Sequence, residues 1–546
     1  MPFAGAGKTD RGGDPAATKE VGFPREPDKF PYMKRFLSPL FIGVALLLAG
    51  PGVSAETEVD ALRRQLGELQ AQFERTMRQQ REQIEALQRQ LDALQKPAAP
   101  VVGDASTTPA PATAPATEPQ RPWRPTDPIR IGSGSAYADV GVVATFAAGG
   151  STAKDIEGGT QLGGHDPNQR GFSVQNVELN LQGAVDPYFR GNVNLLFQLD
   201  SGGESFTELE EAWLETIALP AHLQLRAGQY LSEFGRINTQ HPHQWGFVDV
   251  PLVAGRFLGP DGLRNPGARL SWLAPTPFYS EVFLGVQNSQ GETAASFRGG
   301  EPHHGGDAEE LPFGFRHADN DRGVRSAGDL LFTPRWATSF EVTQNQTLLA
   351  GISGAFGPNS SGEGGDTRTE IYGVDLTWKW KSPNHQRGFP FVAWQTEAML
   401  RRYELGEFDW AEVAAGEPRV LEADGITPAV LGAERVKDWG LYSQLLWGFK
   451  PGWVAGLRAD YVTSERAAYE QSGLLRDDGT GTLTPLGRDP LRNRRWRLSP
   501  NLTWYPSEFS KIRLQYNYDD RRELGEDHSV WLQFEFLLGA HAAHKF

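Results

Sequence analysis

Apolar and polar residues alternate with a period of two over most of the chain after Ile129. In the last such segment, Val530, Leu532, Phe534, Phe536 and Leu538 share one side, with Gln533 and Glu535 on the other. That period belongs to an extended strand with one dry and one wet face. Val177, Leu179 and Leu181 alternate in the same way with Glu178, Asn180 and Gln182, as do Ile512, Leu514 and Tyr516 with Arg513, Gln515 and Asn517. About sixteen such segments run from Ile129 to Phe546, joined by two kinds of connection. Short ones lie at Asp186–Tyr188, Leu219–His222, Ala274–Pro277, Gln344–Gln346, Lys381–Pro383, Lys450–Gly452 and Tyr505–Ser507. Longer, Gly-rich and polar ones occupy 148–170, 234–265, 289–324, 358–368, 406–435 and 467–493, with brief ones near 201–206 and 522–528. Seven short turns and eight connections on the opposite side require sixteen strands with both ends together.

The segments upstream follow other periods. Val59, Leu62, Leu66, Leu69, Phe73, Met77, Ile84, Leu87, Leu91 and Leu94 recur at alternating steps of three and four, with one stutter. That seam predicts an α-helical coiled coil over 56–96 that pairs with copies of itself. A single amphipathic helix lying on a membrane is the alternative, and the Gln-rich polar face disfavours it. Residues 97–128 are rich in Pro, Ala and Thr and predict an extended spacer. Lys34 and Arg35, the apolar run Phe36–Ala49 and the small residues Val53-Ser54-Ala55 have the three parts of a signal peptide over 33–55, cut after Ala55. Residues 1–32 carry no apolar pattern and read as an upstream extension, with native translation starting at Met33.

Composition narrows the picture. The chain has no Cys among 546 residues, which excludes disulfide staples and thiolate chemistry. A formal charge of −15 argues against nucleic acid as a partner. With a secretory leader, aromatic residues beside the Pro turns (Tyr188, Phe278, Trp336, Trp453, Tyr505) and an aromatic terminus, the alternating strands predict an all-β membrane barrel of about sixteen antiparallel strands over 129–546. Its apolar face would meet outer-membrane lipid and its polar face a wet lumen. A soluble sandwich has the same alternation and is the competing architecture.

By parity, Arg190, Arg226, Lys379, Arg401, Arg458, Arg495, Arg497 and Arg513 point inward, and so do Glu178, Asp200, Asp375, Glu397, Asp460, Asp519 and Glu535. Arg495 and Arg497 form the densest basic cluster, which is either an anion-attracting ladder or a set of pairs with acids. The loop 234–265 carries Trp245, Phe247, Val248, Val250, Leu252, Val253, Phe257 and Leu258, too much apolar surface for a loop in water. Folded into the pore, it would present Arg236, His241, His243, Arg256 and Arg264 to solute. Packed across the top or at a subunit contact, it would act as a lid. The pairs His241/His243, His303/His304 and His541/His544 have no acidic residue at a telling offset, so neither a metal nor any other cofactor is assigned. Nothing groups a nucleophile with a base, so no enzyme is predicted.

The stretch Leu225-Arg-Ala-Gly-Gln-Tyr-Leu-Ser-Glu-Phe-Gly235 is similar to the strand leading into the third loop of the phosphate-selective porin O and P superfamily. The layout of coiled coil, spacer and barrel resembles the DcaP-like trimeric porins of Gram-negative bacteria. That resemblance implies a trimer and passive uptake of small hydrophilic solutes, anionic ones among them. The chain favours Arg over the Lys-rich arrangement of the phosphate-specific members. The expected partners are other copies through the coiled coil, outer-membrane lipid, the barrel-assembly machinery at Phe546 and peptidoglycan. A metal or siderophore receptor would need a plug domain and about twenty-two strands. A structural tether between the outer membrane and the cell wall is the third reading.

Overall fold

The computed structural model describes residues 129–539, apart from 134–135, 185, 201, 300–310, 318–322 and 415. The signal peptide, coiled coil and spacer, with the His303/His304 and His541/His544 pairs, lie outside the described residues. Seventeen strands share one sheet. The first, Ile129–Ser133, folds back only on its successor. The other sixteen form a ring: β1 (Ala136–Ser151), β2 (Gly171–Ala184), β3 (Phe189–Leu199), β4 (Ser205–Thr216), β5 (Leu223–Leu231), β6 (Arg264–Leu273), β7 (Tyr279–Asn288), β8 (Leu330–Thr343), β9 (Gln346–Pro358), β10 (Arg368–Gln386), β11 (Phe389–Leu405), β12 (Glu434–Lys450), β13 (Trp453–Ser464), β14 (Arg495–Ser507), β15 (Ser510–Arg521) and β16 (Gly525–Gly539). Each pairs antiparallel with its neighbours, and β16 closes on β1 from Gly141 opposite Gly539 to Ser151 opposite Ser529. Closure gives each of the sixteen strands a partner on both sides, which an open sheet cannot do. The predicted count of sixteen and the short/long alternation are both present.

The two faces follow the sequence period. Leu214, Leu225, Ile352, Val374, Leu445, Leu457, Leu514 and Val530 point outward and are exposed, around the whole ring. Aromatic residues gather near the short turns: Trp453 stacks on Trp504 at 5.9 Å, and Tyr188, Phe278 and Phe340 stand exposed nearby. Tyr505, expected among these, has inward parity beside outward Trp504 and is half-buried. Asp200 is not on the wall either. It caps the turn after β3, accepting the Glu204 N–H at 2.7 Å. Two hairpins turn later than their prolines suggest. Lys381–Pro383 lies inside β10, which turns at Arg387-Gly388, and Tyr505–Ser507 lies inside β14. Proline removes one donor, and beyond the ring, where the β10–β11 register breaks between Lys381 and Gln386, that donor has no ladder partner to lose.

The long connections read as polar loops at 406–435 and 467–493 build a cap instead. Short strands Arg419–Leu421, Leu475–Asp477 and Leu483–Pro485 pair there, over a core that includes Phe315, Trp410, Val420, Leu431 and Tyr469.

Candidate functional site: a loop that fills the lumen

The long connection between β5 and β6 runs inward. Its apolar residues Phe234, Ile237, Val250, Leu252, Val253, Phe257 and Leu258 are buried against the inner wall residues Ala355, Ile371, Met399, Tyr442 and Val462. Each fully buried side chain of this kind contributes about 1.5–3 kcal/mol relative to exposure. Pro251 precedes the short helix Leu252–Leu258, all of which is buried except Arg256. The wall is shaped for this guest. A Cβ on Gly373 would lie 2.8 Å from the Phe234 ring, and one on Gly440 3.0 Å from a Val253 methyl.

The other side of the loop is polar and meets polar wall. Glu397 accepts the backbone N–H groups of Arg236 at 2.9 Å and Ile237 at 2.8 Å. Gln515 accepts the Val248 N–H, Asp460 that of Leu252 and Asp166 that of Val250. Lys511 donates to the His243 carbonyl and Arg513 to that of Trp245, both at 2.9 Å. Asp249, fully buried, is the centre of this side. Arg458 reaches one of its carboxylate oxygens at 2.6 Å and Arg497 the other at 2.8 Å, while Gln515 and Asn517 donate at 2.9 and 2.8 Å. Burial opposes ionisation of Asp249, but the Arg458 and Arg497 charges hold it down at about 2.

Gly235 makes the sharp entry of the loop possible. It sits at φ +60°, and a Cβ there would lie 2.0 Å from a Glu397 oxygen. Gly235→Ala should cost more than about 1 kcal/mol, since it adds strain at positive φ and pushes away the loop's acceptor. Trypsin cutting at Arg236 in the folded barrel should be several-fold faster in this variant. An unchanged rate would show that the loop's seating does not depend on Gly235.

Most of the arginines and histidines named from the sequence as facing the lumen are therefore packed, not facing solute. Arg495 and Arg497 are no open ladder: both pair with Asp519 and donate to the Thr160 carbonyl of the inward-folded connection 152–170. Arg495 also donates to the Gly159 carbonyl, and Arg497 to the Gln161 side-chain oxygen and to Asp249. Two guanidinia buried this deeply require such acids beside them. Arg458 bridges Asp460 and Asp249. Arg513 is held by Thr503 and Gln533. Arg264 belongs to β6, where it is buried against Glu208. Arg256 donates to the Asn493 carbonyl at 2.7 Å. His243 is buried, with Nδ1 3.3 Å from Glu178. His241 lies between Glu210 at 3.0 Å and Glu211 at 3.3 Å. Burial works against its charge, yet Glu210 and then Glu211 hold its pKa well above the ordinary imidazole value.

Among the described residues, inward-facing charges remain partly exposed at the short-turn end. There Arg190, 45% exposed in its side chain, pairs with Glu215, and Arg226 shares that carboxylate while lying 3.9 Å from the Trp213 ring centre. Half-buried Arg236 and Lys379 join them, and Gln182 is exposed on the same inner face. From mid-height to the cap, the inward residues of β10–β16 are almost all buried, so the lumen there is packed with loop.

A closed ring of sixteen strands with an apolar outer face and a loop inserted in its lumen defines the class: a β-barrel of the membrane type. No family model matches the chain. An uncharacterized protein of Aquifex aeolicus (strain VF5) is 32% identical over 403 residues, covering 70% of this chain and 73% of that protein, and the chain belongs to its family. Among solved structures, the outer membrane channel DcaP of Acinetobacter baumannii is 13% identical at a TM-score of 0.43, covering 73% of this chain and 97% of that one. The anion-selective porin from Comamonas acidovorans is 6% identical at a TM-score of 0.42, covering 74% and 100%. Pseudomonas putida OprB is 10% identical at a TM-score of 0.41, covering 73% and 94%.

Proposed function

We propose that this protein is an outer-membrane channel for small hydrophilic solutes, in which the β5–β6 loop is the gate. The observation that carries this reading is the continuous apolar, exposed outer face, bordered by aromatic residues, around a ring with a polar interior. Such a surface is stable in lipid and unstable in water. The inner mouth supports a preference for anions, since Arg190, Arg226, Arg236 and Lys379 line it. The signal peptide would deliver the chain to the periplasm, and the coiled coil would hold three barrels together beneath the membrane.

One observation favours a second reading. A lumen packed at mid-height suits a structural tether, in which the barrel only anchors periplasmic helices. Sixteen strands count against a receptor of the plug type. Conductance in planar bilayers separates the two remaining readings. A channel gives discrete ion steps, small in the wild type and larger once the loop is released. Purified protein that gives no steps in either form is a tether.

A further inference from the structure

A cluster of histidines and carboxylates under the loop is left unused by the channel reading. Glu178 on β2, Glu210 on β4 and His241 on the loop each offer a donor atom, and these atoms lie within 4.8 Å of one another. They come from three elements, more than thirty residues apart, so no local motif in the sequence announces them. Glu211 stands 3.3 Å from the second nitrogen of His241, and His165 stands 3.9 Å from Glu210. The His243 ring stacks on His241 with centroids 5.7 Å apart.

Two further observations point to a ligand here. Asn194 is 1% exposed, and its amide nitrogen touches Glu210 and lies 3.5 Å from His241. Its oxygen is buried and has no hydrogen-bond partner among the described residues. Turning that amide over would aim a neutral oxygen donor at the cluster. Beside it is a cavity of about 30 Å³ lined in part by His165, Glu210, Gln240, Pro242 and Asp261, enough for one water or a small cation.

We propose that Glu178, Glu210 and His241 form a binding site for a divalent transition-metal ion that pins the loop to the wall. Zinc bonds nitrogen and oxygen at about 2.0–2.2 Å, which brings tetrahedral donors to roughly 3.3 Å apart. From 4.8 Å, side-chain rotation covers the difference. One imidazole with two carboxylates selects zinc, nickel or cobalt over calcium, which takes oxygen alone, and over cuprous ion, which prefers sulfur. The ion would compete with Arg264, whose guanidinium lies 3.8 Å from Glu210. The site stands whether or not the barrel conducts, because binding is read without current.

The test is zinc binding to the full chain, purified in detergent and stripped with chelator, followed by calorimetry, with cobalt absorption as a second readout. One equivalent per barrel is expected, with visible cobalt bands of low coordination. Glu210→Gln and His241→Gln should each weaken binding about tenfold or more. Glu178→Gln, close to isosteric, serves the same purpose where His241→Gln fails to fold, as judged by heat-modified mobility. The proposal is overturned if zinc is not taken up, if these variants bind as the wild type does, or if binding is lost instead on changing His541 and His544.

Discussion

Asp249→Asn should release the β5–β6 loop and raise single-channel conductance severalfold. The side chain keeps its size but loses the charge that faces Arg458 and Arg497, both buried and 2.6 and 2.8 Å away. Removing one partner from a buried ion pair typically costs about 3–5 kcal/mol, because the other charge stays in a low-dielectric site without compensation. Here each guanidinium would keep one other acid, Arg458 its Asp460 and Arg497 its Asp519, so the loss should lie toward the lower end of that range. The apolar half of the loop, from Val250 to Leu258, would keep some hold on β11–β13. The expected result is therefore a flickering gate and faster trypsin cutting, with the barrel itself intact. The acid dependence follows from the same carboxylate. Its folded pKa is depressed to about 2, so the latch stabilises the closed state above the ordinary aspartate value and is lost only as pH falls through about 2. The Asp249 latch itself should therefore add no pH dependence between about pH 8 and 5. A change in wild-type conductance in that window would instead report Asp166, the acceptor of the Val250 N–H, which burial and the nearby Asp249 charge raise to about 7. A variant that conducts like the wild type would show that Asp249 is not the latch.

The sequence was most legible where the period is two and the faces differ. Strand number, the alternation of turn lengths and the identity of the inserted loop all follow from that period and from the excess of apolar residues in 234–265. Prolines were read as turns and located four of the seven short hairpins, and a tight turn at Gln344–Gln346 located a fifth. The other two fail because proline is tolerated in a strand that has run past its neighbours. The lumen was harder to read. Ile371, Met399 and Val462 have inward parity, and in an open aqueous pore they would be out of place. They are the sign that β9–β13 cover a packed loop, a sign that appears only when parity is carried along every strand. The charges show the opposite limit. Parity places Arg495, Arg497 and Arg513 inside but says nothing of which acid or carbonyl each meets. Asp249 lies more than two hundred residues from Arg458, and that separation hides the pair from any local pattern. Glu178, Glu210 and His241 escape for the same reason.

A stability effect of similar size should come from the outer face, at Leu457→Arg. Leu457 is 48% exposed, stands opposite Leu445 on β12, and lies between Tyr461 and Trp453 on its own strand. A residue flanked by aromatic side chains toward either mouth sits near the middle of the apolar band. Arginine at the bilayer midplane of such a barrel costs about 2–4 kcal/mol, whereas the same charge inside the lumen costs little. Gln182→Arg, on the inner face at the short-turn end, is the matched control and should be near neutral. Folding into lipid vesicles across a urea series measures both. A large loss for Leu457→Arg with little change for Gln182→Arg places Leu457 in hydrocarbon. In a water-soluble barrel the order reverses in sense, since an exposed leucine replaced by arginine would improve solubility and leave stability within about 0.5 kcal/mol. That outcome would remove the membrane from the account and, with it, the channel and the tether alike.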